Sequence, residues 1–280
     1  MRFSFWSFIK SQWAKQPPVV NADLTGKTVL VLGANIGIGF EAAKHFATMN
    51  PGKLILACRS QSKGQAAVEK LKAATGYAKA ELWIIDLADF ESVRQFADKF
   101  ERDGGRLDIF VANAAVALLK YEATKNGWET SIQVNHLSTS LLALLLLPSM
   151  IKTAQEHSTL PRLVVVSSGA HYWFDIEKPV VESPEIIPRH EKYCYSELRR
   201  GFPSVLAFFD HLMELALAFT SEVGSRRLVW AALAQQDHPE KLRGEFISGF
   251  KVQEEDTLDI LNKVDPRVNE IVAKYLSPTA

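Results

Sequence analysis

Surplus charge is the first thing this sequence lacks. Thirty-two Lys and Arg residues face thirty-two Asp and Glu, for a net charge of zero. Binding a phosphate backbone requires an excess of cations, so no nucleic-acid partner is expected. Cysteine is scarce as well. Cys58 and Cys194 are the only two, too few for a disulfide framework or a four-cysteine zinc site. They read as reduced thiols of a cytosolic protein, so a cytoplasmic location is expected. The seven histidines show no ligand spacing, and no metal site is expected. Long apolar runs are missing too. The longest, Leu141 to Leu147, is closed by Pro148 and falls far short of the ~20 residues that span a bilayer. It predicts a buried helix. There is no internal repeat and no low-complexity tract.

What is present begins with aromatics. Phe3, Phe5, Trp6, Phe8, Ile9 and Trp13 lie among Arg2, Lys10 and Lys15, with no apolar core and cleavage site of a signal peptide. Two readings stand: an arm that packs its aromatics on the domain, which is preferred, and an amphipathic helix in weak contact with a membrane surface. Pro17-Pro18 then separates an arm of residues 1–22 from a single domain over 23–280.

Within that domain apolar runs alternate with helical periodicity. Strands are expected at Thr28–Leu32, Lys53–Ala57, Glu81–Ile85, Leu107–Val111 and Leu163–Val166. Helices are expected at Ile38–Phe46, Gln65–Ala74 (stopped near Gly76), Phe90–Phe100 (closed by Gly104-Gly105) and Trp128–Met150. Strands alternating with helices make βαβ units. The result is an α/β fold, a Rossmann-type doubly wound parallel sheet with helices on both faces. The apolar strands fit burial on both sides.

Gly33-Ala34-Asn35-Ile36-Gly37-Ile38-Gly39 follows the first strand and opens the first helix. Glycine permits the tight turn and the close approach of backbone to a pyrophosphate. The helix start offers unpaired N–H groups and a positive dipole end. In this strand–turn–helix context the segment reads as a dinucleotide-binding loop. Arg59 stands just past the second strand, with Lys63 nearby and no carboxylate between Ala57 and Ser60. A cation there suits a 2′-phosphate, so NADP is favoured over NAD, the alternative being a solvated Arg. Asp86 ends the third strand, where it is placed either to accept from the adenine amino group or to cap the next helix.

Taken in order, these motifs resemble the short-chain dehydrogenase/reductase family, in the retinol-dehydrogenase-like or WW-oxidoreductase-like branch common in fungi. Gly33 to Gly39 resembles the family's glycine motif, and Asp86-Leu87 its adenine-side pair. Asn113-Ala114-Ala115 resembles the Asn-Ala-Gly that ends the fourth strand. Val134-Asn135-His136-Leu137 resembles the helix segment with the catalytic Asn, and Val166-Ser167-Ser168 the strand end with the catalytic Ser. Two departures are Leu32, where a Thr is usual, and Ala115, where a Gly is usual. The resemblance implies NADP(H) as cofactor, held through Gly33, Asn35, Ile36, Gly37, Ile38, Gly39, Arg59, Asp86, Leu87, Asn113, Ala114 and Ser196. It implies Ser168 and Asn135 as catalytic residues, and interconversion of an alcohol with a ketone or aldehyde, of a kind found in secondary metabolism.

In that family a Tyr exchanges the hydroxyl proton, and a Lys four residues on lowers its pKa and holds the nicotinamide ribose. No such pair follows Ser168: Tyr172, Tyr193 and Tyr195 precede Ile176, Glu197 and Arg199 by four. The literal match, Tyr121 to Lys125, lies before Asn135 and reads as a surface turn. Downstream, Cys194-Tyr195-Ser196-Glu197-Leu198 resembles the segment after the family's sixth strand, and Thr220 to Ala232 its late helix. Both flanks are recognisable, but the join near Lys192 to Tyr195 is abrupt. The sixth strand and the helix before it are expected to be missing, lost in evolution or in the splicing assumed for the gene. Tyr195 is the candidate substitute acid, with Arg199 in place of the Lys. A substrate loop is expected around 195–220, where Phe202, Leu206, Phe208, Phe209, Leu212, Met213, Leu215 and Leu217 indicate either a hydrophobic substrate or helix packing. Three functions follow: an NADP-dependent oxidoreductase, a dinucleotide binder without turnover, and an interaction protein using its aromatic N-terminus.

Overall fold

Branched and aromatic side chains in short uninterrupted runs favour strands, and five such runs build the sheet. The computed structural model describes residues 16–118, 121–168, 220–234, 247–248 and 251–252. Strands β1 (Thr28–Leu32), β2 (Lys53–Cys58), β3 (Ala80–Ile84), β4 (Ile109–Ala112) and β5 (Arg162–Val165) lie in the order β3-β2-β1-β4-β5. All four pairings are parallel. A small antiparallel pair, β6 (Ile247–Ser248) and β7 (Lys251–Val252), follows. No sixth strand of the parallel sheet occurs among the described residues.

Helices cover both faces. On one side α1 (Gly37–Thr48), α2 (Gln61–Thr75) and the late helix, here α5 (Ser221–Leu233), share a core with Val29, Val31, Leu54 and Val111. On the other, α3 (Phe90–Lys99) and α4 (Thr130–His157) pack on Leu30, Ile55, Phe110 and Ala112. The residues of β1 and β4 alternate between the two cores, as a period of two requires.

Several expectations shift. Helix α2 starts four residues early because Ser60 Oγ accepts the Lys63 N–H, and Gly76, at φ 72°, ends it in the left-handed region that glycine tolerates. Asp86 does not cap α3. That role belongs to Asp89, which accepts from Glu91 N–H, while Asp86 Oδ1 accepts from Ala88 N–H. Helix α4 runs on through Pro148 to His157. Its apolar run is only half buried: Leu142 and Leu146 are in the core, but Leu144 is 67% exposed, and Leu147 and Ile151 are exposed as well. On β5, Leu163 and Val165 are also exposed. They face the side of the sheet where α4 lies, and no described element covers them. The expected burial of both faces therefore fails at β5, and at the other edge as well, where Glu81 and Ile84 of β3 are exposed. The segment Tyr121 to Lys125 is a surface turn, as expected, beside a bridge between Ala123 and Glu129.

Residues 1–15 of the aromatic arm, Ser196, the substrate-loop residues 195–219 and the join at Lys192 to Tyr195 lie outside the described residues. The arm's last residues do pack on the domain. Val19, Val20 and Ala22 lie against the core, and Arg226 donates to the Pro17 carbonyl.

Candidate cofactor site

Parallel strands point their carboxyl ends the same way, and a cleft forms outside those ends where the strand order reverses. Here the reversal lies between β1 and β4. A cavity of about 340 Å³ opens there. Eight of the residues expected to hold a dinucleotide line it: Gly33, Asn35, Ile36, Arg59, Asp86, Leu87, Asn113 and Ala114. Gly37, Ile38 and Gly39 lie in the adjoining first turn of α1 but do not line it. Leu32, Ala57, Cys58, Ile85, Ala115, Val116 and Val134 also line it. Most of these sit at or just past a strand end, and that position was the available signal.

The glycine loop is fixed by contact. A Cβ on Gly39 would lie 2.4 Å from both Asn113 Nδ2 and the Gly33 carbonyl oxygen. Gly33, at φ +77°, has Ala114 Cα 2.7 Å from the place of its missing Cβ. Asn113 Nδ2 donates to the Gly33 carbonyl at 3.2 Å, tying the end of β4 to the loop after β1. The start of α1 has no capping side chain and no acidic residue in its first turn. A Cβ on Gly37 would meet nothing within 4 Å. The first N–H groups of α1 are thus left to an outside acceptor, and the loop has room for one. This fits a dinucleotide pyrophosphate.

Arg59 is exposed at the rim, next to Ser60 at the start of α2. Cys58 beside it is buried, which pushes its thiol pKa up to about 11, so it stays protonated and poorly nucleophilic at neutral pH. Asn135 lies on a π-helical turn, Gln133–Ser138, inside α4. Its side chain is clasped to one residue of the cleft: Oδ1 accepts from the Val116 N–H at 2.8 Å and Nδ2 donates to the Val116 carbonyl at 2.7 Å. π-turns occur often at functional sites. Ser168 follows β5, is exposed, and does not line the cavity. The structure thus gathers most of the expected cofactor residues at one cleft, keeps Asn135 beside it through Val116, and leaves Ser168 apart. Among the described residues no cluster of His, Cys, Asp and Glu is arranged to hold a metal.

Relatives agree with this geometry. The short chain dehydrogenase family model matches residues 27–172. The short chain dehydrogenase/reductase dmxR8 of Cryptosporiopsis sp. (strain 8999) is 32% identical, with 88% of each chain covered. That alignment runs over 292 positions, more than the 280 residues of this whole chain, yet it takes in only 88% of them. Several dozen of its positions therefore face no residue here. The WW domain-containing oxidoreductase of Homo sapiens is 42% identical over 154 residues, 55% of this chain and 36% of that protein. A crystal structure of an uncharacterized protein from Mycobacterium paratuberculosis has a TM-score of 0.52 and 26% identity, covering 77% of this chain and 81% of its own. With the glycine loop, the strand order and these matches in agreement, the chain belongs to the short-chain dehydrogenase/reductase family of oxidoreductases, whose members bind a nicotinamide dinucleotide.

Proposed function

We propose that the cleft binds NADP(H) and serves the interconversion of an alcohol and a ketone or aldehyde on a hydrophobic small molecule of secondary metabolism. The observation that carries the cofactor choice is the lining between β2 and α2. Arg59 is the charged group there, no carboxylate stands between Ala57 and Ser60, and the start of α2 adds the positive end of a helix dipole. A 2′-phosphate meets attraction at that point, while a bare ribose hydroxyl finds no acceptor. The cofactor supplies hydride. This chain's residues orient it: the glycine loop holds the pyrophosphate, Asp86 serves the adenine side, and Asn135, held to Val116, serves the reacting end, to which Ser168, outside the cavity lining, is assigned by resemblance alone.

A second reading has its own support. The Tyr-x-x-x-Lys pair does not follow Ser168 anywhere in the sequence, and the fungal relative aligns across positions this chain lacks. General acid–base catalysis contributes ~10²–10⁴-fold, so a chain without the Tyr would bind cofactor yet turn over slowly or not at all. One experiment separates the two. NADPH is titrated against the full chain by fluorescence, and hydride transfer is then followed with a panel of hydrophobic ketones and alcohols. Binding with turnover supports the oxidoreductase, and binding without turnover selects the second reading. No binding overturns both. Sequencing the transcript across the codons for Lys192 to Ser196 tells a real deletion from a splicing error.

A further inference from the structure

The turn that carries Asn135 also reaches the opposite wall of the cleft. Its two fully buried polar side chains, Gln133 and Ser138, are each 0% exposed, and both point at one atom. Ser138 Oγ donates to the Leu87 carbonyl at 2.6 Å, and Gln133 Nε2 donates to the same oxygen at 3.4 Å. Leu87 lines the cavity at its adenine side. The Gln133 amide is otherwise spent on its neighbours: Nε2 also donates to Asn126 Oδ1 at 3.0 Å, and Oε1 accepts from the Thr124 hydroxyl. Asn126 Oδ1 in turn accepts from the Phe90 N–H, at the start of α3.

Around Leu87 the loop is closed by short-range bonds. The Asp86 N–H donates to Ser92 Oγ, and Asp86 Oδ1 accepts from the Ala88 N–H. The Leu87 carbonyl is thus the point where this loop meets a different element. Buried polar atoms of this kind are costly to leave unpaired. Between Gln133 and Ser138 sit Val134, which lines the cavity, and Asn135, which clasps Val116 on the far wall. One turn of helix therefore touches both ends of the cleft through hydrogen bonds of defined geometry.

We propose that Gln133 and Ser138 are positioning residues that couple the adenine loop at Asp86-Leu87 to the Asn135–Val116 clasp, so that filling the adenine end tightens the end where Asn135 acts. The proposal rests on the reading of this cavity as the NADP(H) site. It extends that reading, because neither residue touches the cavity itself. Coupling of this kind is the energetic bias that one site places on another through a shared rigid element.

The test uses the full chain and adenosine 2′,5′-bisphosphate, which carries only the adenine half of the cofactor. Amide hydrogen exchange is followed at Val116, whose N–H is held by Asn135. Saturating bisphosphate is expected to slow that exchange by about fivefold or more, the low end of measured site-to-site couplings. Ser138→Ala and Gln133→Met are expected to bind bisphosphate but lose the slowing, and Ser138→Thr to recover it. A residue that merely helped the chain fold would change exchange with or without ligand alike. Wild-type protein that binds bisphosphate without any slowing at Val116 overturns the proposal and leaves the cofactor site standing, as does slowing that survives in both variants. Failure of the wild type to bind bisphosphate at all brings down the cofactor reading, and the coupling with it.

Discussion

The middle of the sheet and its edges are built to different standards. Strands β1 and β4 are buried along their whole length and β2 along all but its first residue, whereas β5 alternates between half-buried and exposed and β3 buries only Trp83. The same contrast runs along α4, where Leu142 and Leu146 are in the core while Leu144, Leu147 and Ile151 are exposed. Parallel strands normally have both faces covered. The three central strands meet that rule and the two edge strands do not, Ile84 of β3 and Leu163 and Val165 of β5 all being exposed. The strands that lead into the glycine loop and Asn113, β1 and β4, are thus covered on both faces. At β5, Leu163 and Val165 present apolar surface that no described element covers.

That contrast is broken or sharpened most strongly by two leucines on one helix. Leu146→Ala is expected to cost about 2–5 kcal/mol, because its side chain is removed from a packed core. Leu144→Ala, two residues away, is expected to stay within about 0.5 kcal/mol. Urea unfolding measures both. Equal losses would mean that Leu144 is covered after all and that the β5 edge is as well packed as the middle of the sheet.

Next in size is Gly39→Ala, which is expected to cost about 2–3 kcal/mol by overpacking. The added carbon would press on the Gly33 carbonyl, which belongs to backbone and cannot swing aside, and on Asn113. NADPH binding should vanish with it. If binding survives, the glycine loop is less tightly built than its contacts indicate. A smaller and purely local effect is expected of Arg59→Ala. Loss of a hydrogen bond to a charged group is worth about 1.5–3 kcal/mol, so NADPH affinity should fall roughly 10- to 100-fold. NADH affinity and stability should hold. Calorimetry with both cofactors checks this, and an equal loss for the two would place Arg59 away from the 2′-position.

How far the sequence could be read follows the same divide. The strands and the glycine loop were legible because their signals are local, apolar β-branched runs and glycines in a strand-to-helix turn, whereas the late helix was read from its resemblance to the family's and the structure adds that Thr220 caps it. Asp86 and Asp89 stand three apart, each a fair cap for α3. Only the structure shows that the Asp86 side chain is taken by the Ala88 N–H. The π-turn and the convergence of Gln133 and Ser138 on Leu87 had no signature at all, since partners 46 and 51 residues apart leave no periodic trace. The exposure of Leu144 was misread because an apolar run reports hydrophobicity, and burial depends on what packs against it.

The smallest expected effect tests how firmly α5 belongs to the core it shares with α1 and the central strands. His45, near the end of α1, lies against α5, with Nε2 3.2 Å from Glu222 Oε1. The geometry does not make a hydrogen bond, since Nε2 has no such partner. Both Glu222 oxygens already accept from Arg226, at 2.9 and 2.8 Å. Burial therefore outweighs the carboxylate, and the imidazole pKa is held below its usual 6.5. In the unfolded chain it returns to about 6.5. As pH falls below that value the unfolded state takes up the proton first, so stability drops with falling pH and is fully present above it. One proton limits the slope to about 1.4 kcal/mol per pH unit. Glu222, whose own pKa is lowered chiefly by Arg226, titrates at more acidic pH and leaves this window clear. Urea midpoints measured from pH 5 to 7.5 are expected to fall below pH 6.5 in the wild type and to flatten in His45→Gln. A wild type flat across that range would mean that α1 and α5 part easily enough to let water reach His45, and the burial that distinguishes the middle of the sheet would stop short of α5.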